Sequence, residues 1–326
     1  MRVVILCGGR TPEHEVSTAS GAAVARAAAH LGHSVALVDP AAGDGRARGG
    51  VLAALTAPPL LDELLRADVV VPALHGGWGG DGHLQALLEL AGVPFTGARS
   101  EACALAWDKP RTFAVLRAAG VSTPDWSGWR HGREDPPDGV WRMLESGPIV
   151  VKGATGTSQR TLQLVRTPAQ LREACELAHH GEGIVATPYL PGREFIVPVV
   201  GARVLPVTEV VLQQPLLDYS AKVRADPAVF VCPAEIPAAF ARELTRRAQA
   251  VHRALGLGER APSCVGFRCD DAGDPQCLDV DACPDLRSVG PLARAARAAG
   301  RTYPDLVGWI MDLAVAPAAA FTRRWE

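Results

Sequence analysis

The chain of 326 residues is too long for one typical core and predicts two or three domains. Its formal net charge of −2 gives no electrostatic reason to expect nucleic acid or an anionic membrane as partner. No apolar run reaches membrane-spanning length, and a hydrophobic content of 48% is ordinary for a globular enzyme.

Arg2 to Leu6 is a short β-branched run and reads as a buried strand. It is too short for a signal-peptide core and runs straight into Cys7-Gly8-Gly9, so a cytoplasmic location is expected. The eight cysteines are then expected to be reduced thiols. Cys264, Cys269, Cys277 and Cys283 crowd one stretch but lack the paired spacing of zinc sites, so small buried side chains are the expectation. After the Gly8–Pro12 loop an alanine-rich helix is predicted from Ser17 to about Leu31, then a strand over Ser34–Asp39. Strand, glycine loop, helix and strand make a βαβ unit of the parallel, doubly wound kind. Short helices are predicted within Leu52–Arg66. An apolar strand over Asp68–Leu74 ends on the glycine-rich run His75–Gly82. Ligands of such sheets bind beyond the carboxyl ends of the strands, so both glycine-rich loops face one crevice. The first lacks the G-x-G-x-x-G spacing of a nicotinamide site. It carries Glu13-His14-Glu15 instead, and a carboxylate there suits a cationic group such as an amine; the competing reading is a solvated helix start.

A short helix over Leu84–Leu90 and the Pro94–Gly97 turn close the first domain. Ser100 to about Ala119 is predicted helical and contains Asp108-Lys109. A buried strand over Pro148–Lys152 ends in lysine and is followed by the small-residue loop Gly153–Ser158. A cation with backbone donors suits polyphosphate, although the order of a P-loop is missing. Lysine is scarce in this chain, which draws attention to each one. A helix near Pro168–His180, a strand within Gly183–Leu190, and strands over Ile196–Val200 and Val204–Val211 follow. Then come a long helix over Ala234–Leu255 and helices over Leu292–Ala299 and Pro304–Ala316. Between them, Val265–Cys269 and Gln276–Asp281 flank the turn formers Asp270–Pro275 and predict a hairpin. Period-2 geometry puts Asp279 and Asp281 on one face, with Leu278 and Val280 on the other. Paired carboxylates suit Mg²⁺ held together with substrate phosphates; the alternative is a solvated acidic edge.

These motifs, in this order, resemble the D-alanine–D-alanine ligases of the ATP-grasp superfamily nearly end to end. The resemblance rests on Gly8-Gly9-Arg10 through Glu13-His14-Glu15-Val16-Ser17, His75-Gly76 with Asp81-Gly82 and Gln85, Asp108-Lys109 and Val151-Lys152. It continues through Gly192-Arg193-Glu194-Phe195, Asp218-Tyr219-Ser220-Ala221-Lys222 and the hairpin. It implies α/β and α+β architecture: a doubly wound domain over residues 1–98, a central ATP-grasp subdomain over 99–185, and a second one with the hairpin over 186–326. It implies a homodimer, amino-acid substrates, ATP, and Mg²⁺ or Mn²⁺. By resemblance Lys109, Lys152, Thr157, Ser158, Thr187 and Glu194 contact ATP, with Glu194 on the ribose. Lys222 serves the γ-phosphate and substrate end, Glu15 holds the first ammonium, His75 and Ser288 border the substrates, and Asp279 and Asp281 hold the metal. A substrate carboxylate attacks the γ-phosphate and a second amine attacks the acyl phosphate, so charge accumulates on oxygens that lysines and metal stabilise.

The departures from the family pattern are concentrated. The family's arginine and aspartate on the first hairpin strand are Cys264 and Gly266 here, and its glutamate and asparagine on the second are Asp279 and Asp281. A family glycine is Asp285, the tyrosine after Lys222 is Val223, the acid on the grasp strand is Thr187, and the acid before Asp81 is Gly80. The pattern predicts a ligase with an altered second substrate. The alternatives are an ordinary D-alanine–D-alanine ligase and an inactive nucleotide- or amino-acid-binding homologue that regulates or scaffolds.

Overall fold

The computed structural model describes residues 1–41, 50–130, 132, 135–156, 162–176, 183–212, 216 and 228–316. Thr157, Ser158 and Lys222 lie outside the described residues, as does the Asp218–Ala221 stretch.

The first sheet has the order β2 (Ser34–Val38), β1 (Arg2–Leu6), β3 (Val69–Pro72), all parallel. Strand alternation assigns its two faces. Val3 and Ile5 pack with Val24 and Ala28 of α1 (His14–His30), and Val4 and Leu6 with Leu55, Leu64, Leu84 and Leu88 of α2 (Gly50–Leu55), α3 (Pro58–Leu65) and α4 (His83–Leu90). Helix α1 starts earlier than the predicted Ser17, because the Thr11-Pro12 turn already directs the chain: His14 N–H donates to Thr11 O (3.1 Å) and Ser17 N–H to Glu13 O (2.9 Å).

The predicted helix over Ser100–Ala119 is two helices, α5 (Ser100–Trp107) and α6 (Lys109–Ala118), broken at Asp108. Asp108 is extended (φ −100°, ψ 100°) and its carboxylate accepts from Arg111 N–H at 3.1 Å, an N-cap for α6. The small sheet is antiparallel in the order β4 (Ser127–Arg130), β7 (Gly183–Pro188), β5 (Ile149–Gly153), β6 (Gln163–Val165). Its inner face, with Trp129, Ile149, Val151, Ile184 and Ala186, packs against α7 (Asp138–Ser146) and α8 (Pro168–Glu176).

The larger sheet runs β11 (Ala228–Val231), β10 (Thr208–Leu212), β8 (Glu194–Val200), β12 (Pro262–Cys269), β13 (Pro275–Asp281), with β9 (Arg203–Val204) pairing back onto β8. The strand predicted over Val204–Val211 is thus two pieces, and Pro206, which has no N–H for a ladder, falls in the gap. Phe195, Val197, Val199, Val265, Phe267, Cys277 and Val280 form its core with α5, α6 and α9 (Ala238–Ala254). Helices α10 (Pro291–Ala298) and α11 (Tyr303–Val315) follow. Helix α11 is buried on two sides: Val307 and Met311 reach the first sheet, while Leu306, Trp309, Ile310 and Leu313 pack with α10 and Val200. The last described helix therefore ties the first sheet to the larger one.

Hairpin parity differs from the expectation in one respect. Gly266 pairs Asp279 but Phe267 pairs Cys277, so Leu278 is the extra residue of a β-bulge. Cys277 and Val280 go into the core, and Leu278 borders the same side as Asp279 and Asp281. The two aspartates do share a face, as predicted; Leu278 does not oppose them.

Candidate active site

The faces of the small and larger sheets turned away from their helices enclose one cavity of about 590 Å³ that reaches the first domain. On β5 the alternation that buries Ile149 and Val151 turns Val150 and Lys152 into this cavity, and on β7 it turns in Thr187, 2% exposed. From the larger sheet come Glu194 and Ile196 of β8, Cys264, Gly266 and Arg268 of β12, and Asp279 and Asp281 of β13.

Lys109, Lys152 and Lys222 are the only lysines in the chain. The first two meet in this cavity. Lys109 is buried at the start of α6, where its N–H donates to Ala154 O (2.8 Å) and its Nζ to Gly156 O, so α6 and the loop after β5 are pinned together. Lys152 Nζ donates to Leu278 O at 3.2 Å, which links the small sheet to the bulge of the hairpin. Burial, reinforced by Lys109, lowers the Lys152 pKa to about 8, and Asp279 opposes that shift. Two ammonium groups in a partly dehydrated cleft form a site prepared for an anion.

Glu194 is held by Arg268, whose Nη1 donates to Glu194 Oε2 at 3.3 Å; Arg268 Nη2 donates to Tyr189 Oη at 3.2 Å and its guanidinium lies 5.1 Å from the Tyr189 ring centre. Sequence reasoning missed Arg268 and Tyr189. The alternation of β12 could have placed Arg268 on the Gly266 side.

At the first-domain end, the structure separates the two candidate acids. Glu15 is exposed on the first turn of α1 and does not border the cavity. Glu13 is buried and does, with its carboxylate so close to Gly76 that a Cβ there would meet Glu13 Oε2 at 2.5 Å. Gly76 has φ +75°, so this approach needs glycine twice over. The structure thus places Glu13, and not the expected Glu15, on the cavity wall. The difference follows from the helix start: with α1 beginning at His14, Glu13 is the N-cap residue and Glu15 lies on the first turn. His75 borders the cavity as expected, and its Nε2 lies 2.9 Å from Ser20 Oγ. Ser288 does not border the cavity; its carbonyl accepts from Arg297 Nη1 (2.8 Å), and its neighbours Arg287 and Val289 line the cavity instead.

Asp279 and Asp281 supply hard oxygen donors toward the lysine end, and Asp281 Oδ1 accepts from Cys283 N–H at 3.0 Å. Among the described residues no group of three or more His, Cys, Asp or Glu side chains could hold a metal alone. Two carboxylates completed by phosphate oxygens and water are nonetheless a usual Mg²⁺ arrangement, so the donor set fits a cation shared with a nucleotide. No described helix is long and apolar enough to cross a membrane.

Two sheets closed over a cleft that carries paired lysines and a two-aspartate hairpin define the class: an ATP-grasp ligase fold with a doubly wound domain in front. Comparison with known proteins gives the particular family. A family model described as D-ala D-ala ligase C-terminus matches residues 115–312, and one described as D-ala D-ala ligase N-terminus matches residues 44–98. A D-alanine–D-alanine ligase of Anaeromyxobacter sp. (strain Fw109-5) is 35% identical over 95% of this chain and 96% of its own. One of Moorella thermoacetica is 34% identical over 97% of this chain and 100% of its own. Among solved structures, D-alanine–D-alanine ligase from Bacillus anthracis complexed with ATP aligns at TM-score 0.79 and 22% identity over 97% of both chains. VanG D-Ala:D-Ser ligase from Enterococcus faecalis also aligns at TM-score 0.79, with 22% identity over 96% of this chain and 99% of its own. The chain belongs to the D-alanine–D-alanine ligase family, a family of ATP-dependent enzymes that form carbon–nitrogen bonds.

Proposed function

We propose that this enzyme joins D-alanine, as the activated acid, to the amine of a second amino acid that differs from the usual one. The observation that carries the reading is the single cavity shared by Glu13 and His75 of the first domain with Lys109, Lys152, Asp279 and Asp281 of the two sheets. D-Alanine is taken from the names of the relatives.

In this reading Glu13 holds the ammonium of the first amino acid, which leaves its carboxylate facing the lysine end. A carboxylate oxygen attacks the γ-phosphorus, the bond to the β-phosphate oxygen breaks, and ADP leaves with the displaced electron pair. The amine of the second amino acid then attacks the acyl carbon, inorganic phosphate departs, and the nitrogen gives up a proton. Lys109 and Lys152 hold phosphate oxygens while charge shifts among them, a preorganised electrostatic role. Glu194, braced by Arg268, faces the ribose, and Thr187 borders the base. Asp279 and Asp281 would hold Mg²⁺, which neutralises phosphate charge when bound. No covalent enzyme intermediate is required. The altered second substrate is supported by Cys264 and Asp285, which line the cavity where the family pattern has an arginine and a glycine.

The test is ADP release with D-alanine, alone and paired with a panel of other amines, with products identified by mass spectrometry. A mixed dipeptide formed in preference to D-alanyl-D-alanine supports the reading. Efficient turnover on D-alanine alone supports an ordinary D-alanine–D-alanine ligase, and nucleotide binding without turnover on any mixture supports an inactive homologue.

A further inference from the structure

Two cysteines that the ligation chemistry does not use face one another at the cavity wall. Cys103 is buried on α5 and Cys283 is half-buried in the turn after β13; both line the cavity, and their Sγ atoms are 4.0 Å apart. Cys103 Sγ also donates to Ala98 O at 3.5 Å, and Cys283 Sγ lies 3.6 Å from Gln85 Nε2 and 3.8 Å from Gly79 O. Gly80 leaves this corner open. A Cβ there would lie 4.0 Å from Cys283 Cβ and 3.2 Å from the Trp107 ring, and the family pattern puts an acid at that position. The cavity side of Cys283 is thus not screened by a side chain at residue 80.

The sulfurs of a disulfide are about 2.05 Å apart, so bonding requires this pair to close by roughly 2 Å. Cys103 sits in mid-helix, and Ala102, Cys103 and Ala106 pack into the core of the larger sheet, so the turn carries most of the movement. That turn is tied to the metal strand, since Cys283 N–H donates to Asp281 Oδ1 at 3.0 Å. The bond with Cys103 and burial push the Cys283 thiol well above its ordinary pKa, so the pair stays reduced near neutral pH until an oxidant is plentiful. Resting on the ligase reading above for its consequence, we propose that Cys103 and Cys283 form a reversible disulfide when peroxide is abundant, and that closing it displaces Asp281, weakens Mg²⁺ binding and switches ligation off. The Cys283 sulfur attacks one peroxide oxygen, the O–O bond breaks and water leaves, giving a sulfenic acid. The Cys103 sulfur attacks the oxidised sulfur, the S–O bond breaks and a second water leaves. Together the thiols surrender two electrons and two protons, and the peroxide is reduced to two waters. A dithiol reductant reverses the bond by exchange.

The test treats the full chain with hydrogen peroxide and maps its disulfides by mass spectrometry of unreduced peptides. A peptide pair joining Cys103 to Cys283 should be the main linked product and should vanish after dithiothreitol. Calorimetric titration of Mg²⁺ into the complex with a non-hydrolysable ATP analogue should show affinity lowered about tenfold or more by oxidation, the usual cost of disturbing the bonds that orient a metal ligand, and recovered on reduction. Cys103→Ser, which keeps a donor for Ala98 O, and Cys103→Ala should each keep their Mg²⁺ affinity through peroxide treatment. Cys283→Ala, on the turn, gives the same reading should the helix variants not fold. Absence of the Cys103–Cys283 linkage, a linkage that leaves Mg²⁺ affinity unchanged, or an equal loss of affinity in the cysteine variants would overturn this inference alone. Failure of the reduced protein to bind Mg²⁺ with the nucleotide analogue would overturn the ligase reading and the metal consequence with it, while the linkage map still decides whether the disulfide forms.

Discussion

Gly266→Asp probes the metal strand from the side where a carboxylate is missing. Gly266 pairs Asp279 across the hairpin, and a Cβ at 266 would lie 3.5 Å from Asp279 O and 3.8 Å from Asp279 Cβ. Those are ordinary contacts, so a Cβ is accommodated there without displacing backbone. Two carboxylates about 5 Å apart repel by roughly 3 kcal/mol at an effective dielectric of about 20. Partial exposure reduces this to about 1 kcal/mol. Without metal, the variant should therefore melt a few degrees below the unmodified protein. With nucleotide analogue and Mg²⁺ the sign reverses, because the same carboxylate becomes a third protein ligand. Mg²⁺ affinity should rise about tenfold, equivalent to roughly 1.4 kcal/mol. Calorimetric titration of Mg²⁺ into the complex with a non-hydrolysable ATP analogue, paired with melting curves with and without metal, reads both effects. An unchanged melting point together with unchanged Mg²⁺ affinity would show that position 266 does not face the metal, and the hairpin assignment would fall.

Three other perturbations follow from the same geometry. Glu13→Gln should raise the KM for D-alanine about 100-fold with ATP affinity unchanged, while Glu15→Gln should leave both close to normal; the opposite pattern in steady-state kinetics refutes the assignment. Lys152 has a pKa lowered to about 8, so in the free protein it is charged below that pH and neutral above it. Bound phosphate favours the charged form, so ATP affinity should weaken as pH rises above 8, by up to about tenfold per unit, and Lys152→Arg should abolish that dependence. Asp279→Asn and Asp281→Asn should each cut turnover and Mg²⁺ affinity in the nucleotide complex sharply while shifting the denaturation midpoint little; a large midpoint shift with normal metal binding would make them structural.

Periodicity exposed most of the architecture because buried strands here are rich in β-branched residues: Val3-Val4-Ile5 and Ile149-Val150-Val151 are 0% to 9% exposed. Strand β4 was not legible, since Ser127-Gly128-Trp129-Arg130 has only Trp129 to mark a buried face. Helix α7 follows Pro136-Pro137 without a side-chain cap, which hides its start. The cavity lysines could be singled out because the chain has only three lysines. Glu13 could not be told from Glu15, because the choice turns on where α1 begins, and a Thr-Pro turn moves that start three residues. The bulge at Leu278 leaves no mark on an alternating sequence, yet it supplies the carbonyl that Lys152 holds. Arg287 was overlooked because Asp285, which holds its guanidinium, is itself bonded to Ser20, a residue remote in sequence.

The most direct test of acid activation by phosphoryl transfer uses D-alanine with heavy oxygen in its carboxylate. In turnover with ATP, Mg²⁺ and a competent acceptor, the inorganic phosphate released should carry one labelled oxygen per molecule, because the carboxylate oxygen that attacks the γ-phosphorus leaves with the phosphate. Mass spectrometry of the phosphate decides. Unlabelled phosphate accompanying product would show that no acyl phosphate forms, and the proposed mechanism would be wrong.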